Sequence, residues 1–543
     1  MATLSFGGTI LAFNGKPIGF EPPEPQPNPI YPYIRFKFSN PNFDPSLEPT
    51  VDPASKYWEK RTDTADNVWD YVNKAYVWDE HQNGEFKYLF DDPDETLVDV
   101  IGCGNLYDKN SGDLWDYEWD ETFYGCTALR SVSGLNFTGI TRCNGAFSGC
   151  SNLVRVVNAD LSSLENGHMM FDGCSSLTTL YNEISGDLDL SKLEEGYYMF
   201  SGCASLTQFP ASVLSSLENA ISMFSDCTGL TSIPNLTLGR LVNAQSMFYG
   251  CSSVTTAGTM DLSTLTGEYI TGSSPRWDGG AVSMFAGCSS LVGFSGSLDL
   301  SSALVIESMF ENCVSLTGVT LTTSSVLKNT NSLFSNCRSL RTVNKFNTEN
   351  VENAGFMFGG CSSLTGSEIP IFDLSNCDDV WGMFRFCTNL VSHPRIDFSH
   401  CTILNSLFDG CTSLTAVDID ASSATNINSL CSLCTSLASV SLGDTSNVEN
   451  IGWAFYGCSS ITAIPIDAQY SDSLNYVTNA FLGCSAVTSG MQSLFDEIYN
   501  RFPSTTQEEI DQFSRCFGEC GDTTVQSVVD EIEHIRSINP AWL

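Results

Sequence analysis

The stretch "MFDGCSSL" at residues 170–177 returns as "MFSGCASL" at 199–206, "MFSDCTGL" at 223–230 and "MFYGCSSV" at 247–254. Aligned on its cysteine, the frame occurs fifteen times, at Cys126, Cys150, Cys174, Cys203, Cys227, Cys251, Cys288, Cys313, Cys337, Cys361, Cys387, Cys411, Cys434, Cys458 and Cys484. The dominant spacing is 24 residues, and the widest departures, 29 before Cys203 and 37 before Cys288, are what loops inserted into a fixed repeat look like. Three residues before each of these cysteines stands Phe, with Cys431 the one exception, and three residues after it stands Leu, Val or Ile.

One such repeat is too short to bury its own Phe, Met and Leu. Stacking repeats at the strand spacing of about 4.8 Å lays like side chains over like and builds a continuous core, which is why the letters recur. The F-x-x-C-x-x-L frame predicts a tight turn with its apolar residues on one side, and "LDL" at 188–190 and 298–300 predicts a short strand after it. The expected fold is a β-rich solenoid of about 15 coils over residues 119–487, a rod or arc of roughly 70 Å. Its core files run through Phe171 and Cys174, Phe200 and Cys203, Phe224 and Cys227, Phe248 and Cys251, Phe285 and Cys288, and Phe310 and Cys313. Each cysteine reads as a small apolar filler with a weak S–H donor. A column of free thiols is expected rather than disulfides, since fifteen equivalent thiols cannot all pair, and it suits assembly in a reducing compartment. "CSLC" at 431–434 reads as core too, because Cys431 takes the slot that Phe holds elsewhere.

With 63 acidic and 24 basic residues the chain carries a formal charge of -39, which repels nucleic acid and anionic lipid. No run of about 18 apolar residues exists, so no membrane span is expected. The opening "MATLSFGGTILAFNGKPIGF" has no early Lys or Arg and breaks its apolar stretch at Gly7, Gly8 and Asn14, so no cleavable leader is expected either. The five histidines fall in no H-E-x-x-H, there is no G-x-S-x-G, P-loop or dinucleotide fingerprint, and "HPRIDFSHC" at 393–401 fits no standard zinc spacing. The sequence therefore points to neither an enzyme nor a bound cofactor.

Two constellations are candidates for binding. In the L-D-L segments the leucines face the core, so Asp160, Asp189, Asp261, Asp299 and Asp397 are expected to point outward in a broken acidic stripe. Such a stripe keeps the strand face soluble, or takes calcium or a basic partner. The 37-residue coil carries "TGEYITGSSPRWDGG" at 266–280, a loop whose Tyr269, Arg276 and Trp277 are of types enriched at binding hot spots. Tyr197, Tyr198 and Tyr249 are candidates to extend that surface.

The ends differ from the repeats. Residues 1–20 read as an attachment hairpin around "FNGK", 21–32 ("EPPEPQPNPIYP") as a semi-rigid proline-rich linker, and 33–118 as a small β domain capping the first coil. Residues 488–543 carry helical spacing and read as a helical cap, with Thr505 and Glu508 resembling a capping box.

The frame "MFxGCSSLT", followed by "LDLS" and a short variable stretch, resembles the leucine-rich repeat of BspA-like bacterial surface proteins over residues 119–487. The resemblance implies a solenoid used for adhesion or ligand capture, on bacterial surfaces or in phages of gut bacteria. With a tag and spacer before the coils, the leading expectation is a non-enzymatic phage virion surface component, of fibre or receptor-binding type. Its solenoid would engage a host cell-surface glycan or protein, while residues 1–32 would join it to other virion or surface-assembly proteins. The alternatives are a bacterial cell-surface or extracellular adhesin and, from another class, a metal-dependent enzyme on the acidic strand face.

Overall fold

The computed structural model describes residues 120–135, 137, 139–181, 188–208, 214–270, 276–462, 474 and 476–487 of the repeats, with 12–13, 16–17, 33–39, 58–60, 62, 66–72 and 97–103 before them and 516 after. These form a β-solenoid whose coils stack in parallel, linked by short strands and by a column of single bridges such as Asn166 to Glu195 and Asn426 to Asn450.

The turn that ends in the frame cysteine is a run of successive β-turns in which alternate residues serve different partners. In the coil of Cys150, the N–H groups of Ala146, Ser148 and Cys150 donate three residues back, to the carbonyls of Cys143, Gly145 and Phe147 at 3.4, 3.0 and 3.1 Å. Those of Gly145, Phe147 and Gly149 donate to the next coil, to the carbonyls of His168, Met170 and Asp172 at 2.7, 2.9 and 2.7 Å. Each turn needs two left-handed residues, here Gly145 (φ 58°) and Gly149 (φ 76°). The second is the glycine of the "GC" pair. In other coils Asp226, Asn312 and Asn336 take its place, residues whose short polar side chains tolerate that conformation.

The twelve core residues singled out from the sequence are all fully buried. From Phe123 to Phe408 the phenylalanine rings form one file, neighbours 5.2–5.8 Å apart and within 15° of parallel. That is offset stacking, imposed by the coil spacing. Cys431 interrupts the file as a buried side chain in the phenylalanine slot.

The cysteine file has a role beyond filling. The Cys174 thiol donates to the Phe147 carbonyl at 3.1 Å, and the same bond recurs at 3.1 Å from Cys227 to Phe200, Cys251 to Phe224, Cys313 to Phe285 and Cys337 to Phe310. Each phenylalanine carbonyl thus accepts twice, from the cysteine N–H of its own coil and from the thiol of the next. Among the described residues twenty cysteines are buried thiols outside any disulfide. Burial pushes the thiols of Cys251, Cys313 and Cys387 up to about 12.

Before the coils, strands Tyr33–Phe38, Trp58–Lys60, Asn67–Val72 and Leu97–Cys103 pair antiparallel. Leu97–Cys103 then pairs parallel with Ser131–Ser133 of the first coil, giving a seven-stranded sheet that runs on into Arg155–Val157 and Thr179–Tyr181. Phe36, fully buried, lies 6.2 Å from Phe123 and heads the ring file. Of the hairpin read at 1–20, Ala12–Phe13 pairs antiparallel with Lys16–Pro17. The linker at 21–32 lies outside the described residues. So does the helical cap at 488–543 apart from Cys516, and the structure gives that cap no support. The Cys516 carbonyl accepts the Phe481 N–H at 2.8 Å, the position that the next coil's carbonyl holds elsewhere in the stack.

Candidate functional site

The five aspartates lie at the turn that follows the strand, and each spends an oxygen on it. Asp160, Asp189, Asp261, Asp299 and Asp397 accept the N–H of the serine two residues on, at 3.1, 3.0, 3.1, 3.0 and 2.9 Å. This is an Asx turn, which closes the corner of the coil without a main-chain partner. Hydrogen bonds from Ser263 and Ser399 hold the Asp261 and Asp397 carboxyls below the usual range. Asp373, Asp420 and Asp444 do the same for Ser375, Ser422 and Ser446. With Asp397 they place acids on four consecutive coils. The legible signal was D-x-S, not L-D-L; searching for flanking leucines passed over "IDAS" and "GDTS".

The long loop is built on a hairpin. Glu268–Ile270 pairs antiparallel with Arg276–Asp278, setting Tyr269 opposite Trp277 and Ile270 opposite Arg276. Tyr197 and Tyr198 lie together, rings 4.7 Å apart, and Tyr197 meets His168 edge-on at 4.9 Å, whereas Tyr249 is exposed on a later coil. Both ring nitrogens of His393 are engaged, Nδ1 with the Pro394 carbonyl at 2.9 Å and Nε2 accepting the Asp418 N–H at 3.0 Å. Among the described residues no group of three or more His, Cys, Asp or Glu is placed to hold a metal ion. Nor is any helix there long and apolar enough to cross a membrane.

Two features go beyond the sequence reading. The first is a set of large apolar side chains on the solvent side of the frame turn, where the candidate Tyr249 is joined by Tyr124, Trp381, Phe386 and Trp453, all 37–55% exposed. Phe386 and Leu433 occupy the left-handed slot that is Gly, Asn or Asp in the other coils, at φ 57° and 58°, a strain of about 1–2 kcal/mol each. The Phe386 ring lies against Gly410, where any Cβ would clash with it, and the Arg385 guanidinium sits 4.6 Å from the ring while bonding Asp409 at 2.8 Å.

The second is a cleft of about 480 Å³ lined by Leu321 to Thr323, Asn344 to Glu349 and Asp373. It opens because the coil-to-coil ladder is broken there. Leu321–Thr322 pairs back onto Leu298–Asp299, and among the described residues no main-chain pairing links it forward to 344–347. The Asn344 side chain substitutes, accepting the Leu321 N–H at 2.8 Å and donating to the Leu321 carbonyl at 2.7 Å. The Thr323 hydroxyl spans the gap to the Asn347 carbonyl at 2.9 Å, and the Thr348 hydroxyl ties the far wall to the following coil at the Asp373 carbonyl, 2.7 Å away.

Residues 141–260 and 305–416 match the family described as "Mycoplasma protein of unknown function, DUF285", and residues 380–488 match, in 6 copies, the family described as "BspA type Leucine rich repeat region". No curated protein matches the sequence. Among solved structures, a leucine rich cell surface protein from Faecalibacterium prausnitzii is 18% identical, with 63% of this chain and 89% of that one covered at a TM-score of 0.31. A leucine-rich repeat protein from Bacteroides ovatus is 18% identical, covering 71% and 85% at 0.32. Another from Eubacterium ventriosum is 16% identical, covering 72% and 91% at 0.31. The frame that recurs along the chain, matched by that family over residues 380–488, is similar to the BspA type leucine-rich repeat.

Proposed function

We propose that this is a non-catalytic binding protein of the bacterial cell surface, acting in adhesion or ligand capture. The match of residues 380–488 to the BspA type leucine-rich repeat supports the reading. The observation that carries it is the exposure of the large side chains Tyr124, Tyr249, Trp381, Phe386 and Trp453 on the frame turns. The turn calls for no aromatic side chain at these positions, since Gly, Ser and Asn fill them in other coils. At Phe386 and Leu433 the apolar side chain is kept against a backbone that disfavours it, a pattern of strain that goes with function. Aromatic residues with an arginine beside them are the usual anchors of protein contacts.

The expected virion component has no counterpart among the relatives named above, and the bacterial surface reading replaces it. The hairpin with Tyr269, Arg276 and Trp277 is a second contact element in this proposal. The test is adhesion of beads coated with the full chain to host epithelial cells and to extracellular-matrix proteins. Attachment that falls on Trp381→Ala and Phe386→Gly, with the fold intact, supports the reading. Equal attachment of coated and bare beads sinks it.

A further inference from the structure

We infer that the cleft between the coils of Cys313 and Cys337 binds a neutral saccharide chain. This rests on the binding reading above and gives it a second, separate site with a ligand class.

Asn344 joins the cleft to a second one of about 410 Å³, lined by Phe294, Gly296, Gly318 to Thr320, Thr342 and Val343. Each has the volume of a small-ligand site, and together they make one groove suited to a linear ligand of several units. Gly296 and Gly318 line the second half beside the buried Val319 and Val343. Leu321 and Phe346 form a buried floor in the first, and the exposed groups around it are the Thr322 hydroxyl, the Lys345 ammonium and the Glu349 and Asp373 carboxylates.

That set of groups selects among ligands. An apolar molecule would leave donors and acceptors unpaired at about 1–3 kcal/mol each. A phosphate or polyanion meets two carboxylates in a chain of formal charge -39. An extended peptide would bind by continuing the strand ladder, but the Leu321 N–H and carbonyl are already taken by Asn344. Vicinal hydroxyls need donors and acceptors side by side, and Lys345 next to Asp373 and Glu349 supplies both. Asn344 and Thr323 bridge the two walls at fixed separation and Thr348 anchors the far wall to the next coil, so the groove exists before any ligand arrives.

The test is a glycan array probed with the full chain, followed by calorimetric titration of the best neutral oligosaccharide. Variants Thr322→Trp, which fills the cleft, and Lys345→Ala, which removes the donor, are compared with Val242→Ala, exposed on an earlier coil. The expected result is a loss of at least about tenfold in affinity for each cleft variant, near 1.4 kcal/mol, with Val242→Ala and thermal melting unchanged. No neutral saccharide bound, a peptide bound in its place, or a saccharide bound equally by Thr322→Trp and Lys345→Ala overturns the inference. Beads that adhere to cells while no saccharide binds defeat this inference alone. A saccharide bound in the cleft without adhesion defeats the surface reading alone.

Discussion

Replacing Phe310 by Ala tests the ring file at its middle. The side chain is fully buried, with the Phe285 and Phe334 rings stacked on either side at 5.8 and 5.5 Å and the Phe294 ring meeting it edge-on at 5.7 Å. Truncating a buried Phe costs about 3–5 kcal/mol, which includes the lost ring pairs at about 0.5–1.5 each. The upper part of that range applies because the cavity cannot collapse. The Phe310 N–H is tied to the Leu333 carbonyl at 3.0 Å and the Phe285 N–H to Met309 at 2.9 Å, so neither wall moves in without breaking the ladder. Phe455, with Phe481 stacked on one side at 5.6 Å and Cys431 filling the phenylalanine slot on the other, should cost nearer 3 kcal/mol. Since a stack of coils opens piecewise, the assay is amide hydrogen exchange by mass spectrometry alongside urea unfolding. Protection should fall in peptides spanning Phe285 to Phe334 well before the distant coils. Unchanged protection and an unchanged urea midpoint would refute the stacked core.

The frame thiols should resist iodoacetamide at pH 8 in the native protein and react in guanidinium, counted by intact mass; labelling of native Cys251 or Cys313 would contradict their burial. Alkaline stability follows from the raised thiols. In the folded chain they stay protonated above 9, their ordinary value, towards about 12. Their contribution is complete below pH 9 and is lost as pH rises towards 12, at about 1.4 kcal/mol per thiol per unit. Urea midpoints should therefore fall steeply over that window, and a flat profile would argue against it. Asp397→Asn should cost less than Asp397→Ala, because the amide oxygen keeps the bond to Ser399 N–H without the carboxylate's charge, while Asp397→Ala should cost about 1 kcal/mol by urea titration. Because hydrogen bonds depress the Asp261, Asp373 and Asp397 carboxyls, their share of stability is present above about pH 4 and fades below it.

The coil and its core were legible because stacking repeats its demands in the sequence: Phe171, Cys174 and their equivalents recur at one spacing and all are buried. The second role of the cysteine was not, since a thiol that fills space and one that donates to the Phe147 carbonyl are the same letter. The aspartates show a subtler loss. Their outward setting follows from alternation, but their tie to a serine two residues on is a local bond that competes with any ligand. Phe386 and Leu433 are conspicuous only once the backbone shows them in a slot built for glycine. The cleft depends on where one ladder stops, which hangs on the reach of the Asn344 side chain across to Leu321 and is invisible to periodicity.

The bonds between coils run both ways. A phenylalanine N–H gives to the coil that follows, and the carbonyl of the same residue takes the thiol of that coil. Every coil therefore offers its successor a row of donors and, at the phenylalanine carbonyl, an acceptor in fixed positions. Because each coil meets the same pattern on both sides, whole coils can be gained or lost over evolutionary time without redesign of those that remain.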